Sequence, residues 1–201
     1  RLGMERLNVE LIGYFLKLDQ TITTFTNANG VVLFRNAGST DQKGIEASLD
    51  YAVMRNADGF IKDFLIGTAY TGQFFTFKEY KKGNNDFSGN DLTGVPQNNL
   101  VSRLDLRTSI GVYFNLTHQF TDEIPLNDAN TVYQESFDLV NLRFGYLKTL
   151  GNFNVELFAG VDNLLDESYS LGNDLNPFGG RFYQPAPARN WYGGIKLGLN
   201  Y

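Results

Sequence analysis

The chain has 201 residues, 42% of them apolar, with 22 acidic against 17 basic side chains, a formal net charge of −5 and no cysteine. The absence of thiols excludes a disulfide framework, a thiolate metal site and a cysteine nucleophile, and no Lys/Arg cluster exceeds Lys81-Lys82, which argues against a nucleic-acid-binding face. No apolar run approaches the roughly 18 to 20 residues of a spanning helix, and Arg1-Leu2-Gly3-Met4-Glu5 is not a signal peptide, so the chain is expected to start in mid-structure.

Helical periodicity is hard to find, whereas alternation of apolar with small or polar side chains recurs in eight segments, each longer than the roughly 5 to 6 residues of a typical soluble strand. The first strand is predicted over 5–20. It leads into a polar connection from Thr21 to Asp41, in which Ala28 to Val32 reads as a small hairpin tip with Asn29 and Gly30 at positive φ. The second, over 42–54, puts Ile45, Ala47, Leu49, Tyr51 and Val53 on one face and Glu46, Ser48 and Asp50 on the other. Asp41, Glu46 and Asp50 lack the spacing of an EF-hand loop, so a solvated face is expected rather than a calcium site. After the tight turn Arg55 to Phe60, the third strand (61–78) breaks the pattern. Phe64, Ile66, Tyr70 and Phe74 on one parity compete with Leu65, Ala69, Phe75 and Phe77 on the other, which implies either contact with something inside a lumen or, the simpler expectation, a bulge that flips parity part-way.

A polar connection from Glu79 to Pro96 follows, with Tyr80 to Asp86 as a mobile tip. The fourth strand (97–107) places Arg103, Asp105 and Arg107 on one parity. Only Arg107-Thr108-Ser109 separates it from the fifth (109–121), where Ile110, Val112, Phe114 and Leu116 oppose Gly111, Tyr113, Asn115 and Thr117. The sole histidine, His118, continues the apolar parity, and no serine and carboxylate can be set beside it with triad geometry, so catalysis is not expected. Past the connection Asp122 to Tyr133, the sixth strand (134–148) alternates Val140, Leu142, Phe144 and Tyr146 with Asn141, Arg143 and Gly145. After Thr149 to Asn152, the seventh (152–165) alternates Phe153, Val155, Leu157, Ala159 and Val161 with Asn154, Glu156, Gly160 and Asp162. A long connection from Asp166 to Pro187 precedes the eighth (188–201), whose Trp191, Gly193, Ile195, Leu197, Leu199 and Tyr201 oppose Tyr192, Gly194, Lys196, Gly198 and Asn200.

Short and long connections alternate strictly. In an up-and-down antiparallel meander this puts all tight turns at one end and all elaborated loops at the other, as in outer-membrane barrels with periplasmic turns and extracellular loops. A soluble β-sandwich binding carbohydrate would instead show shorter strands and Greek-key connections. The fold class is therefore read as all-β, an antiparallel transmembrane barrel with one lipid face and one wet face.

Two motifs carry a family resemblance. Val161, Asn163, Leu164, Asp166 and Tyr169, then Gly180, Arg181, Tyr183, Pro185, Pro187, Arg189 and Asn190, then the terminal Tyr201, resemble the closing hairpin of TonB-dependent outer-membrane receptors. Asn36, Ala37, Gly38, Gly44 and Glu46 resemble a strand entry of the same family. The resemblance implies that residues 1–201 are the C-terminal portion of a 22-stranded barrel whose N-terminal plug is absent here. From the residues alone, Pro185 and Pro187 hold the loop extended, and Asn163 and Asp166 end the preceding strand through local backbone hydrogen bonds.

No enzymatic activity, cofactor or metal site is expected from the residues. The resemblance implies TonB-dependent uptake of a scarce ligand across the outer membrane of a Gram-negative bacterium, with a ferric siderophore as the leading class and a glycan or peptide as the alternative. A complete eight-stranded barrel of structural or adhesive role is the reading from another class. The implied partners are the chain's own plug, the TonB energy-coupling protein, outer-membrane lipid, a small-molecule ligand and, through Tyr201, the barrel-assembly machinery. Ligand contacts are expected at the extracellular mouth from Phe87, Phe178, Arg181, Phe182 and Tyr183, while Arg103, Asp105, Arg107 and Arg143 are expected to face the lumen or plug.

Overall fold

The structure, a computed structural model, describes residues 2–3, 5–36 and 38–199; Ala37 and Tyr201, on which parts of the two motifs fall, lie outside the described residues. Eight long strands follow one another: β1 Leu7–Leu18, β2 Ser39–Met54, β3 Ile61–Glu79, β4 Asn98–Thr108, β5 Val112–Thr121, β6 Phe137–Leu150, β7 Phe153–Asp162 and β8 Asn190–Leu199. Each pairs antiparallel with the next, and the short segment Leu2–Gly3 pairs with the outer edge of β1. Among the described residues the sheet stays open, because β8 and the Leu2–Gly3 edge are not joined. Among the described residues no helix is long and apolar enough to cross a membrane.

The register shows why the alternating segments pair as they do. One cross-strand row runs Leu104, Leu116, Leu142, Val161, Trp191, and the row one residue further along runs Arg103, Thr117, Asn141 on the opposite face. A slip of one residue in any strand would put charged groups among these apolar side chains, so the two-faced pattern fixes the register. The apolar face is not covered by protein: Ile195 is 70% and Leu197 71% exposed, with Leu157, Phe144 and Leu49 also open. Side chains of this kind in one continuous layer suit a hydrocarbon surround.

β3 carries aromatic side chains on both faces, and the structure corrects the expected cause. Its pairing with β2 is regular from Leu65 to Phe77, and the register shifts lie near the strand ends, at Ile61/Asp63 against β4 and at Ala52/Met54 and Ser39/Thr40 on β2. No parity flip occurs in between. The second-face aromatics are instead covered: Phe77 is fully buried beneath Tyr80, with Phe87 and Leu92 packed alongside. The backbone of the following connection hydrogen-bonds back onto the strand, Leu92 N to Phe75 O and Gly89 N to Phe77 O. At 19 residues β3 is far longer than the roughly 9 to 11 that cross a bilayer, so its upper part forms a wall on which a loop can pack.

On the polar face, glycines sit opposite aromatics. Gly44 faces Tyr14, Gly145 faces Tyr113 and Gly160 faces Tyr192 across the ladder. A Cβ at Gly145 would stand 2.4 Å from the Tyr113 ring, so the ring lies flat over the missing side chain and shields the bare backbone. This gives the Gly44 position of the strand-entry motif a packing reason. Gly38 of the same motif has φ +72 and an added Cβ would meet Glu79 O at 1.8 Å, so only glycine fits there.

The two faces should respond oppositely to substitution. Leu197→Arg is expected to impair assembly by about 2 to 4 kcal/mol if it lies near mid-membrane, whereas Lys196→Gln should be nearly silent. Heat-modifiability on gels checks this, and equal tolerance at both positions would overturn the assignment of the faces.

Candidate functional site

The four long connections, residues 19–38, 80–97, 122–136 and 163–189, all emerge at the same end of the sheet. The first contains the paired segments Ile22–Thr26 and Val32–Asn36. Its tip is wider than expected: Asn27 Oδ1 accepts from the backbone N–H of Asn29 and Val31, and of the expected pair only Gly30 has positive φ. The second folds down onto β3. Tyr80, expected to be mobile, is 3% exposed, its ring 4.8 Å from Phe77 and 5.3 Å from Phe87.

All four connections meet at Asp128, which is 2% exposed. Its Oδ2 pairs with the Arg35 guanidinium of the first connection and accepts from Tyr80 OH of the second at 2.9 Å. Its Oδ1 accepts from Thr93 Oγ1 at 2.8 Å and from Asn176 Nδ2 of the fourth connection at 2.9 Å. The backbone joins in, since Asp128 N donates to Asn176 Oδ1 and Asp128 O accepts from Asn90 Nδ2. A buried carboxylate is unfavourable unless paired and hydrogen-bonded, and this one has a cation and three neutral donors. Arg35 is held in turn with its guanidinium 4.9 Å from the Phe25 ring. Sequence reasoning missed this hub because Asn127 to Thr131 looks like an ordinary turn; it is indeed one, with Asn130 at positive φ, and the turn is what presents Asp128 inward.

The residues expected at the mouth fall in three places. Phe178 and Arg181 line one cavity of about 580 Å³ with the first connection's tip, Asn27 to Gly30, and Asp174. Tyr183 lines a second, of about 740 Å³, between the third and fourth connections, and its hydroxyl donates to Tyr133 O at 2.8 Å. Phe182 stands beside Tyr183, with ring centroids 6.3 Å apart. Phe87 is separate from both, packed into the cluster of Phe77 and Tyr80.

The four charged residues expected on the inner face share one parity, and each is engaged by the neighbouring strand. Arg103 Nη2 donates to Asp50 Oδ1 at 2.8 Å, Arg107 Nε stands 3.4 Å from Asp63 Oδ2, and Asn115 Nδ2 donates to Asp105. Arg143 donates to Glu156 at 2.9 Å and to Tyr113 OH at 3.1 Å, with its guanidinium 4.0 Å from the Phe158 ring. Asp41 lies on the opposite face from Glu46 and Asp50, and no group of three or more metal-ligating side chains occurs among the described residues.

His118 has closer neighbours than its sequence position suggested. Asp138 Oδ1 is 2.7 Å from its Nε2 and Ser102 is its cross-strand partner. Ser102 Oγ, however, is 3.1 Å from Thr68 Oγ1, and no hydrogen bond joins it to His118 among the described residues. The carboxylate and serine are therefore present without a relay between them.

The closing motif has a structural role in part. Asn163 is at positive φ and exchanges two hydrogen bonds with the backbone of Glu167, as an Asx residue ending a strand does. Asp166 Oδ1 accepts from Arg189 N at 3.0 Å, which fastens one half of the motif to the other across the whole fourth connection.

Residues 1–164 match the family described as TonB dependent receptor-like, beta-barrel. Among solved structures, the ferric yersiniabactin uptake receptor FyuA from Yersinia pestis is 17% identical with a TM-score of 0.71, over 99% of this chain and 28% of that one. The ferric preacinetobactin receptor BauA from Acinetobacter baumannii is 14% identical with a TM-score of 0.73, over 98% and 28%. The ferric citrate transporter FecA is 19% identical with a TM-score of 0.73, over 96% and 29%. The chain thus spans less than a third of the length of each.

Removing the hub carboxylate should loosen all four connections together. Asp128→Ala leaves the half-buried Arg35 guanidinium without its partner, at a cost of about 3 kcal/mol to the loop cluster. Hydrogen exchange is expected to quicken in all four connections while strand amides keep their protection, and an effect confined to 122–136 would show that the connections are independent.

Proposed function

This chain belongs to the TonB-dependent receptor β-barrel family, and from that premise we propose that it forms the C-terminal portion of an outer-membrane receptor importing a ferric siderophore into a Gram-negative periplasm. The observation that carries the reading is the loop cluster. Four connections fixed on one buried carboxylate make a standing rim over one end of the sheet, with the cavity of Phe178 and Arg181 open in it. An exposed aromatic ring beside a guanidinium suits a flat chelate with a charged edge. Arg181 is exposed and forms no ion pair or hydrogen bond among the described residues, so it is available to a ligand. That the similar solved receptors are named for ferric siderophores and ferric citrate supports the same class.

On this reading the row Arg103, Asp105, Arg107 and Arg143 lines the lumen against the plug, which belongs to the rest of the receptor together with the segment that engages the energy-coupling protein. Uptake on this reading requires both. Tyr201 is assigned to recognition by the barrel-assembly machinery.

The test is growth on a siderophore as sole iron source. The full-length receptor should support it only with the energy-coupling partner present, and Phe178→Ala combined with Arg181→Ala should weaken siderophore binding about tenfold or more with barrel assembly intact. Unchanged affinity in that double variant would remove the fourth connection from the binding site.

A further inference from the structure

The charge of the chain is unevenly distributed. The four long connections hold ten carboxylates and five cationic side chains, so the strands and short turns balance at twelve of each, and the entire net charge of −5 lies at the loop end. The third connection is the extreme case, with Asp122, Glu123, Asp128 and Glu135 and no cation at all. A polyanionic ligand would approach such a surface against the field.

The acidity converges on the larger cavity. Its walls include Tyr133, Tyr169 and Tyr183, with Glu135, Asp166 and Glu167 between them. The rings are fixed in place: Tyr169 stacks on Phe137 with centroids 5.0 Å apart, and Tyr183 is anchored through its hydroxyl on Tyr133 O. Burial, and then the Asp91 and Glu123 carboxylates, push the Tyr133 phenol above its usual range, so it remains a neutral donor at physiological pH. Asp166 is taken up by Arg189. Glu135 and Glu167, by contrast, carry no side-chain hydrogen bond or ion pair among the described residues, so two carboxylates and three aromatic rings line the space without a cation of the protein's own. Aromatic faces and unspent carboxylates together recognise an ammonium group.

We propose that this cleft seats the cationic group of the ligand, so that the receptor takes an iron chelate bearing a protonated amine in preference to a polyanionic one. The assignment rests on the siderophore reading above and narrows it to a substrate class. It differs from the Phe178 and Arg181 cavity, which would hold the chelate's aromatic or anionic edge.

Two probes of defined charge test it on the purified full-length receptor: a ferric trihydroxamate carrying a free ammonium group, and a trianionic ferric tris-catecholate. The cationic complex is expected to bind about tenfold more tightly, a preference that shrinks as salt is raised. Glu135→Gln combined with Glu167→Gln should weaken binding of the cationic complex about tenfold and leave the catecholate unaffected or improved. Tighter binding of the catecholate, or a double variant with unchanged selectivity, overturns the assignment while leaving siderophore uptake standing. Binding of neither complex overturns both. The comparison of the two probes on the unaltered receptor decides the matter even if the double variant fails to assemble.

Discussion

A sheet with hydrocarbon on one side and water on the other permits no unpaired backbone group in its spanning part and no one-residue slip of any strand. That constraint organises everything else here. It forces each strand to pair with its chain neighbour, which confines tight turns to one end, and it requires the parity that meets hydrocarbon to be apolar. Long connections can then grow only at the other end, where water satisfies their polar groups. The row Leu104, Leu116, Leu142, Val161, Trp191 is the visible trace of this rule, each residue contributed by a different strand at the matching register.

At the loop end the constraint is replaced by a different one. Connections outside the bilayer have little apolar surface to bury, so order has to come from polar contacts of high specificity. Asp128 supplies them. A carboxylate has two oxygens and several acceptor directions, and here they are shared among residues from the three other connections. The small aromatic cluster of Phe77, Tyr80 and Phe87 reinforces the hub from below, because Tyr80 belongs to both. Rim and wall are thereby coupled through one side chain.

What could be read from the sequence follows from the same physics. Period-two alternation is a local property, so all eight strands, their order and the faces of all but the third are legible, and both family-like motifs are read from contiguous sequence. The unreadable parts depend on contacts distant in sequence. Nothing near Asp128 announces Arg35, 93 residues away, and nothing near Phe77 distinguishes burial under a returning loop from a parity flip. Its aromatic ring and loop position place Phe87 at the mouth on sequence grounds, whereas the structure packs it against Phe77 and Tyr80. Phe178 and Arg181 do share a cavity, but with the first connection's tip, a neighbour that sequence spacing cannot supply.

On the proposed reading, in which a plug stands before the polar face, the charged row of that face bears on how the plug is held and released. Charges facing an occupied lumen could be satisfied by the occupant, in which case moving it would expose uncompensated groups at a cost of several kcal/mol. Arg103, Arg107, Asp105 and Arg143 are instead satisfied sideways, by Asp50, Asp63, Asn115 and Glu156 of adjoining strands. Because both members of each pair ride on the same rigid sheet, the pairing survives whatever stands in front of it. On that reading, a row paired within the wall lets a folded domain rest against it through water-mediated contacts and be displaced without breaking the wall's own pairs.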